Sequence, residues 1–298
     1  MVHGGEHFIE PMQLNSDVLA KLESIRHLAP NHLPHNINAI KALFEKKPNI
    51  SQVACFDTAF HATQSELETT LPLPKEYLKN GLRRYGFHGL SYDYIASNFK
   101  NITGRKLPSR TIIAHLGNGA SLCAVKNGKS IATTMGFSTL EGLTMGNRSG
   151  SIDPGILLYL MHNNQLSIQE LSDILYNESG LKALSGISNE MQEILKVRNK
   201  TTAFAIDYYC NSIVKHIGML ATSLEGLDGL VFTGGIGENA SIIREKVCSR
   251  LTWLGISMNQ TQEGYCISNK DSKISVWVIP TNEELMIAKY THTLLGHN

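Results

Sequence analysis

Three residues have side chains suited to handling a phosphate or carboxylate group: Asp57, His88 and Arg148. In QVACFDTAF, Asp57 follows the apolar, strand-like residues QVACF. The end of a strand is where α/β enzymes carry a metal-binding or positioning carboxylate, although capping of a strand end is a common alternative. His88 lies between an aromatic residue and a glycine in RRYGFHG, and a lone histidine is more often structural than catalytic. Arg148 lies among small residues in GNRSGSIDPG, so its planar donors are available to an anion unless it is an ordinary surface arginine.

Two glycine-rich turns accompany these residues. VFTGGIGENAS, at 231–241, predicts a strand, a glycine turn and a helix start, where backbone N–H groups favour an anionic or nucleotide ligand. It is neither a P-loop nor the GxGxxG fingerprint. HLGNGAS, at 115–121, predicts a second such turn. Together they indicate phosphates approached from two sides, with a tight strand-to-helix turn and a bulged hairpin corner as the alternatives.

The elements that must position these residues alternate between strands and helices. Helical spacing of apolar residues occurs at 14–29, 36–46, 91–104, 239–255 and through most of 153–225. Strand patterns occur at 52–57, 111–136, 229–235 and 273–280. Asn127-Gly128 predicts a tight hairpin, and Thr281 with Glu284 predicts a capping box that opens a helix to the C-terminus. The order of these elements predicts the α/β class.

The composition narrows the function classes. The chain has 298 residues, 42% of them hydrophobic and 18% charged, which is enough for two domains or one large domain. A formal net charge of +1 removes the main electrostatic argument for a nucleic-acid or membrane partner. The start MVHGGEHFIEP has no signal-peptide pattern, and five scattered cysteines are typical of a reduced, cytoplasmic protein. We therefore expect a cytoplasmic protein that acts on small molecules.

Six motifs in order resemble the acetate kinase family, across essentially the whole chain: VACFDTAFHAT, RRYGFHGLS, HLGNGAS, GNRSGSIDPG, VFTGGIGENAS and VIPTNEEL. The resemblance implies the fold shared by acetate and sugar kinases, heat-shock chaperones and actin, with two domains and a nucleotide cleft. The first domain would be incomplete, comprising 1–60 and the helix at 283–298, and the second would span 61–282. The resemblance also implies a homodimer, ATP or ADP and Mg²⁺ as cofactors, and reversible phosphoryl transfer from ATP to a short carboxylate.

The resemblance assigns roles to individual residues. Asp57 matches the essential aspartate, His88 the transition-state histidine and Arg148 the catalytic arginine. Glu283 matches the magnesium ligand, although it and Glu284 would equally suit the dipole of a helix N-terminus. The residues implied for the nucleotide are His115, Leu116, Gly117, Asn118, Gly119, Glu190, Met191, Gln192, Gly234, Gly235, Ile236, Gly237, Glu238 and Asn239. Those implied for the acyl substrate are Val2, His32 and Phe87. Because a carboxylate nucleophile is already ionised at neutral pH, Asp57 is expected to position metal and reactants rather than to accept a proton.

The sequence departs from the family pattern at several positions. Family members carry a segment before VHGGE that includes an arginine for the substrate carboxylate, so we expect this chain to bind nucleotide but to make little or no acetyl phosphate. Asn31 and Thr139 replace apolar residues of the acyl pocket and predict a more polar pocket. Glu190 and Gln192 replace the usual aspartate and arginine beside the nucleotide and predict weaker nucleotide binding. Two alternatives stay open: a propionate or butyrate kinase, and a catalytically inactive nucleotide-binding protein.

Overall fold

The computed structural model describes residues 1–30, 32–259 and 264–296. The strands are β1 Met12–Gln13, β2 Val53–Ala54, β3 Arg110–Leu116, β4 Ala120–Lys126, β5 Lys129–Thr133, β6 Gly229–Thr233 and β7 Ser275–Val278. The helices are α1 Ser16–Ser24, α2 Leu33–Lys46, α3 Glu66–Thr69, α4 Lys75–Leu78, α5 Gly89–Thr103, α6 Pro154–Asn163, α7 Ile168–Asp173, α8 Gly180–Ser185, α9 Met191–Lys196, α10 Lys200–Ser223, α11 Gly234–Asn239, α12 Ser241–Ser249 and α13 Glu283–Leu295. Short 3₁₀ helices occur at Arg26–Leu28, Ala59–Thr63 and Thr252–Leu254, and a π-helical turn at Ile174–Glu178.

A five-stranded sheet in the order β5-β4-β3-β6-β7 is the centre of the fold. β3 pairs in parallel with β6, and β6 with β7, whereas β3, β4 and β5 form an antiparallel meander. The apolar residues of β3, β4 and β6 are almost all buried because helices cover both faces of the sheet. The carboxyl ends of β3 and β6 therefore lie side by side, and these are the ends that carry the two glycine-rich turns.

Two apolar layers lie against the sheet. One face packs on α5 through Tyr92, Ile95 and Phe99. The other face packs on α10, whose Tyr209, Ile213 and Ile217 are buried in the largest apolar cluster. These contacts confirm the α/β class and fix α5, which follows His88 directly.

The N-terminal segment has an apolar cluster of its own. Phe8, Leu22, Leu33, Ile37 and Phe56 are its most buried members, and β1 pairs with β2 beside it. This separate cluster supports a first domain that ends near residue 60, and that division stays a prediction. No helix of the described residues is long and apolar enough to span a membrane.

The hairpin predicted at Asn127-Gly128 is confirmed. Both residues have positive φ, 53° and 81°, and they join β4 to β5. Asparagine and glycine tolerate this left-handed region best, so the turn follows from local sequence alone.

The strand, glycine turn and helix start predicted for VFTGGIGENAS are present, and the helix follows the strand without an intervening loop. α11 begins at Gly234, directly after β6, and the helix predicted over 239–255 instead begins as α12 at Ser241. Gly234 has φ 76°, and a Cβ there would lie 2.9 Å from the Leu116 carbonyl oxygen. The glycine is required because the chain must turn from β6 into a helix against the backbone of β3.

The predicted capping box at Thr281 is wrong. α13 begins one residue later, and its N-cap is Asn282, whose side chain accepts a hydrogen bond from the Leu285 N–H at 2.9 Å. The Thr281 N–H is instead bonded to the Glu238 carboxylate at 3.2 Å. Because the Thr281 N–H is bonded to Glu238, the neighbouring Asn282 is the N-cap of α13.

The helix predicted over 14–29 is divided. α1 ends at Ser24, and a 3₁₀ turn over Arg26–Leu28 follows it. Ile25, Leu28 and Leu22 still face one apolar cluster, so the change of helix type preserves the buried side of the segment.

Candidate active site

His88 begins α5 in a left-handed conformation, with φ 59°. The next residue, Gly89, donates its N–H to the Asp57 carbonyl oxygen at 2.9 Å. A Cβ at Gly89 would lie 2.2 Å from that same oxygen, so only glycine allows α5 to begin against the end of the β2 segment. The RYGFHG motif therefore brings His88 next to Asp57, although 30 residues of loop and short helix separate them in the chain.

His88 and His115 stack on each other, with ring centroids 4.3 Å apart and planes 23° apart. The Nδ1 atom of His88 lies 2.8 Å from Ser121 Oγ, and that of His115 lies 2.8 Å from Ser91 Oγ. Burial lowers the pKa of His115 to about 4. Burial, followed by the charges of His115 and Arg148, lowers the pKa of His88 well below its usual value. Both rings are therefore neutral near pH 7.

The guanidinium of Arg148 meets the two histidines at the HLGNGAS turn. A Cβ at Gly119 would lie 3.5 Å from His88 Nε2 and 3.6 Å from Arg148 Nη1, so the glycine leaves open the space that both donors face. Arg148 is half-buried, and its one backbone contact is Nη1 to the Thr139 carbonyl oxygen at 3.5 Å. In the described part of the chain it forms no ion pair. A buried cation without an anion is expensive, which indicates that an anionic ligand completes this site.

Asp57 and Glu283 form a pair of neighbouring carboxylates. Burial raises the pKa of Asp57 to about 6, whereas the Met1 amino group and a backbone hydrogen bond from Leu90 lower it. Burial, and then the charge of Asp57, raises the pKa of Glu283 to about 7. Asp57 Oδ1 is buried and has no hydrogen-bond partner among the described residues. Two neighbouring carboxylates with an unsatisfied oxygen suit a hard cation such as Mg²⁺, which takes one or two protein carboxylates and fills its remaining positions with water and phosphate.

A cavity of about 270 Å³ lies between the two glycine-rich turns. Most of the residues implied for the nucleotide line it: Gly117, Asn118, Glu190, Met191, Gln192, Gly235, Ile236 and Asn239. Asn189 and Leu195 also line it and were not identified from the sequence. Asn189 donates to Asn118 Oδ1 at 3.3 Å, and its place beside Glu190 in SNEMQ was the available signal.

The other residues implied for the nucleotide lie beneath this cavity. The Leu116 side chain is fully buried in the core, so only its backbone is near the turn. Gly237 packs against β3, where a Cβ would lie 3.6 Å from the Ala114 carbonyl oxygen. Glu238 accepts hydrogen bonds from the N–H groups of Gly234 at 2.8 Å and Thr281 at 3.2 Å. Glu238 therefore ties the α11 turn to the start of α13, which carries Glu283.

A pocket of about 30 Å³ brings together the three residues implied for the acyl substrate, Val2, His32 and Phe87. Thr139 and Tyr176 line it as well. Asn31, which was expected to make this pocket more polar, lies outside the described residues. Tyr176 and His32 also line a polar cavity of about 300 Å³ that contains Arg148. Tyr176 was not identified from the sequence, because it lies in the π-helical turn and reaches the pocket only through the tertiary fold.

Comparisons with known proteins show the family and the fold of the chain. A model of the acetokinase family matches residues 1–289. Acetate kinase of Rickettsia prowazekii (strain Madrid E) is 46% identical over 293 residues, which are 97% of this chain and 76% of that protein. The crystal structure of Porphyromonas gingivalis acetate kinase superposes with a TM-score of 0.92 at 40% identity, over 99% of this chain and 77% of that one. A propionate kinase from Francisella tularensis subsp. tularensis SCHU S4 gives a TM-score of 0.92 at 38% identity, over 97% and 76%. These likenesses confirm the fold expected from the six motifs.

Proposed function

Since the chain belongs to the acetokinase family and is a kinase that transfers a phosphoryl group between ATP and a carboxylate, we propose that acetate is its carboxylate and that Asp57, His88 and Arg148 carry the reaction. One observation carries the assignment of residues. His88 and Arg148 face the same open space at Gly119. The neighbours of Gly119 in the turn, Gly117 and Asn118, line the nucleotide cavity, and Phe87, next to His88, lines the small acyl pocket.

The chemistry needs positioning rather than proton abstraction. A carboxylate is ionised near pH 7, so it attacks the phosphoryl group without a general base. The difficulty is that two anions must be held in line while negative charge spreads over the transferred group. Arg148 supplies a fixed positive charge, and neutral His88 supplies a hydrogen-bond donor, both in a partly buried site where such interactions are strong. His115 adds a second ring beside His88.

Mg²⁺ would be held by Asp57 and Glu283. The unsatisfied Asp57 Oδ1 and the proximity of the Glu283 carboxylate support this part of the proposal. When bound, the ion would neutralise phosphate charge and orient the phosphates. Asp57 contributes in addition through its backbone, because its carbonyl oxygen accepts from Gly89 and thereby positions the start of α5.

The size of the acyl pocket favours acetate. A cavity of about 30 Å³ is small, which favours the shortest acyl chain. Tyr176 lines both this pocket and the larger polar cavity. The preference between acetate, propionate and butyrate is therefore set by the Tyr176 side chain together with Val2 and Phe87.

Acetyl phosphate formation, measured by hydroxamate trapping with acetate, propionate and butyrate, tests the proposal. We expect kcat/KM to fall about 10-fold or more with each added methylene. Tyr176→Ala joins the two cavities and should reduce the difference between acetate and butyrate by about 10-fold. Tyr77→Ala, at an exposed tyrosine of α4, is the control and should leave the order unchanged. Faster turnover of propionate than of acetate would identify a propionate kinase. ADP binding without any acyl phosphate, the result expected from the departures of the sequence from the family pattern, would contradict the kinase reaction itself.

A homodimer is the assembly that the surface favours. α6 has no buried residue, although Ile156, Leu158, Tyr159 and Met161 are apolar or aromatic. Leu158 is 70% exposed and Tyr159 is 60% exposed. A contiguous apolar face of this kind is typical of a protein interface. Because α6 follows the Arg148 loop, the partner subunit would also hold that loop in place.

The mass in solution tests the dimer. The unaltered chain should have twice its calculated mass of 32.9 kDa in light scattering after size exclusion. Leu158→Glu places a charge in the proposed interface and should weaken dimerisation at least about 10-fold, so that a 32.9 kDa species predominates at micromolar concentration. Leu67→Glu introduces the same charge at a leucine that is 88% exposed outside α6 and should stay dimeric. Identical masses for both variants would remove α6 from the interface.

The cytoplasm is the compartment that fits this chemistry. All five cysteines are free, and Cys55, Cys123, Cys210 and Cys248 are buried. Free cysteines are typical of a reducing compartment, where ATP and ADP are also available.

A further inference from the structure

A buried chain of hydroxyl groups lies behind the His88 ring. The Tyr92 hydroxyl is hydrogen-bonded to Ser121 Oγ, and Ser121 Oγ lies 2.8 Å from His88 Nδ1. Tyr92 and Ser121 are both fully buried. Among the described residues Ser121 is the one hydrogen-bond partner of the Tyr92 hydroxyl. Each hydroxyl group has a single proton to donate, so the direction of these hydrogen bonds determines which nitrogen of His88 carries its proton.

His61 shows how such a network is ordered elsewhere in the same protein. Its Nε2 lies 3.0 Å from the Phe87 carbonyl oxygen, which can only accept, so Nε2 carries the proton. Its Nδ1 lies 2.9 Å from Ser130 Oγ and must accept from that hydroxyl. The Gln64 amide donates to Ser130 Oγ at 3.0 Å and leaves the serine proton free for the ring. The donor behind the serine therefore agrees with the tautomer that the Phe87 carbonyl oxygen fixes.

The same reasoning determines the tautomer of His88. If His88 Nδ1 carried the proton, Ser121 would accept from the ring, and either the Tyr92 proton or the Ser121 proton would have no acceptor among the described residues. An unsatisfied buried donor is costly, so that direction is disfavoured. In the opposite direction Tyr92 donates to Ser121, Ser121 donates to Nδ1, and every proton has an acceptor. His88 Nε2 then carries the proton, on the side of the ring that faces Gly119.

His115 follows the same pattern through Ser91. Ser91 is fully buried, and its Oγ lies 2.8 Å from His115 Nδ1. That nitrogen is the one hydrogen-bond partner of the Ser91 hydroxyl in the described part of the chain. The serine proton is satisfied only if it is donated to Nδ1, which places the proton of the His115 ring on Nε2. A Cβ at Gly117 would lie 3.9 Å from this Nε2, so it faces the same glycine turn.

We propose that Ser121, oriented by Tyr92, and Ser91 are positioning residues that hold His88 and His115 in the Nε2–H tautomer, so that both rings direct a hydrogen-bond donor at the phosphoryl group. That the two Nε2–H groups donate to a phosphoryl group rests on the proposed function, whereas the tautomers themselves follow from the hydrogen bonds alone. Arg148 would bring the charge to this turn, and the two stacked rings would bring uncharged donors. The arrangement allows three donors to meet one phosphoryl group without the repulsion that two imidazolium ions would add.

Nuclear magnetic resonance of the ligand-free protein, labelled with ¹⁵N-histidine, tests the tautomers without any activity. Protonated and bare ring nitrogens have well-separated ¹⁵N shifts, and His61 provides an internal reference for the Nε2–H form. We expect His88 and His115 to match His61 and Ser121→Ala to mix the two tautomers of His88. Ser130→Ala removes an equally buried serine–histidine hydrogen bond and should perturb His61 but not His88. A proton on Nδ1 of His88 in the unaltered protein would overturn the inference.

Kinetics tests what the tautomer does. Ser121→Ala should lower kcat about 3- to 10-fold, the effect of one hydrogen bond, while KM for ATP changes less than about twofold. Ser121→Thr keeps the hydroxyl and should restore both the Nε2–H signal and kcat. A Ser121→Ala variant with mixed tautomers and unchanged kcat would overturn the positioning role while leaving the proposed kinase reaction intact.

Discussion

Arg148→Ala should lower kcat for acetyl phosphate formation by at least about 10²-fold, with a much smaller change in KM for ATP. The reason is that Arg148 has no anionic partner in the described protein and faces the space at Gly119. Its charge is therefore available to the transferred group, where negative charge develops only in the transition state. Hydroxamate trapping at saturating acetate and ATP measures this loss directly.

Two further variants separate charge from shape at this position. Arg148→Lys keeps the positive charge but loses the planar pair of donors, so we expect kcat between those of the alanine variant and the unaltered enzyme. Arg198→Ala removes an arginine from an exposed surface and should have no effect on kcat. Full activity of Arg148→Ala would exclude Arg148 from the mechanism. His88 and His115 would then be the remaining candidates for the groups that donate hydrogen bonds to the transferred phosphoryl group.

Glu283→Gln should raise the Mg²⁺ concentration needed for half-maximal activity by about 10-fold or more. Glutamine keeps the size of the side chain but removes the charge that a hard cation requires. Glu284→Gln is a matched control, because Glu284 lies in the same first turn of α13 but is exposed. An equal response of both variants would show that Glu283 acts only on the helix dipole.

The metal requirement should also depend on pH, because protons compete with Mg²⁺ for the same carboxylates. The pKa of Glu283 is raised to about 7 and that of Asp57 to about 6, so both side chains gain protons within the working range. The half-saturating Mg²⁺ concentration should therefore rise as the pH falls from about 8 to about 6. In Glu283→Gln, the half-saturating Mg²⁺ concentration should respond only to the protonation of Asp57, and this response should fall at the lower end of the pH range.

Local sequence patterns predicted those turns whose conformation depends on the backbone preferences of neighbouring residues. Asn127-Gly128 specified its hairpin because both residues accept positive φ. Thr281 and Glu284 also matched a local pattern, yet Asn282 caps α13, because Glu238 holds the Thr281 N–H. VFTGGIGENAS predicted a strand, a glycine turn and a helix start, but not that the glycines themselves would be helical, which helix propensity alone disfavours. Packing against Leu116 and the hydrogen bond from Gly234 to Glu238 outweigh that propensity.

The site depends on contacts that no local pattern contains. Asp57 and Glu283 come from opposite ends of the chain, and only the resemblance of their motifs to a known family put them in one site. Tyr176 was missed because it belongs to no glycine-rich or charged motif, and Asn189 because only its neighbours Glu190 to Gln192 matched residues implied for the nucleotide. Their roles follow from cavities that exist only after the sheet and helices have assembled.

The parallel pairing of β3 with β6 has a consequence for how the protein reaches its native state. Arg110 and Asp228, at the start of this pair, are 118 residues apart in the chain, whereas β4 and β5 are joined by a two-residue turn. Contacts between distant segments carry a large loop-closure entropy and form late, after hairpins and helices. The glycine turns proposed to hold the phosphates extend from this slow pair of strands. The chain therefore acquires its catalytic centre near the end of folding, and a nucleotide bound there stabilises only molecules that have completed the process.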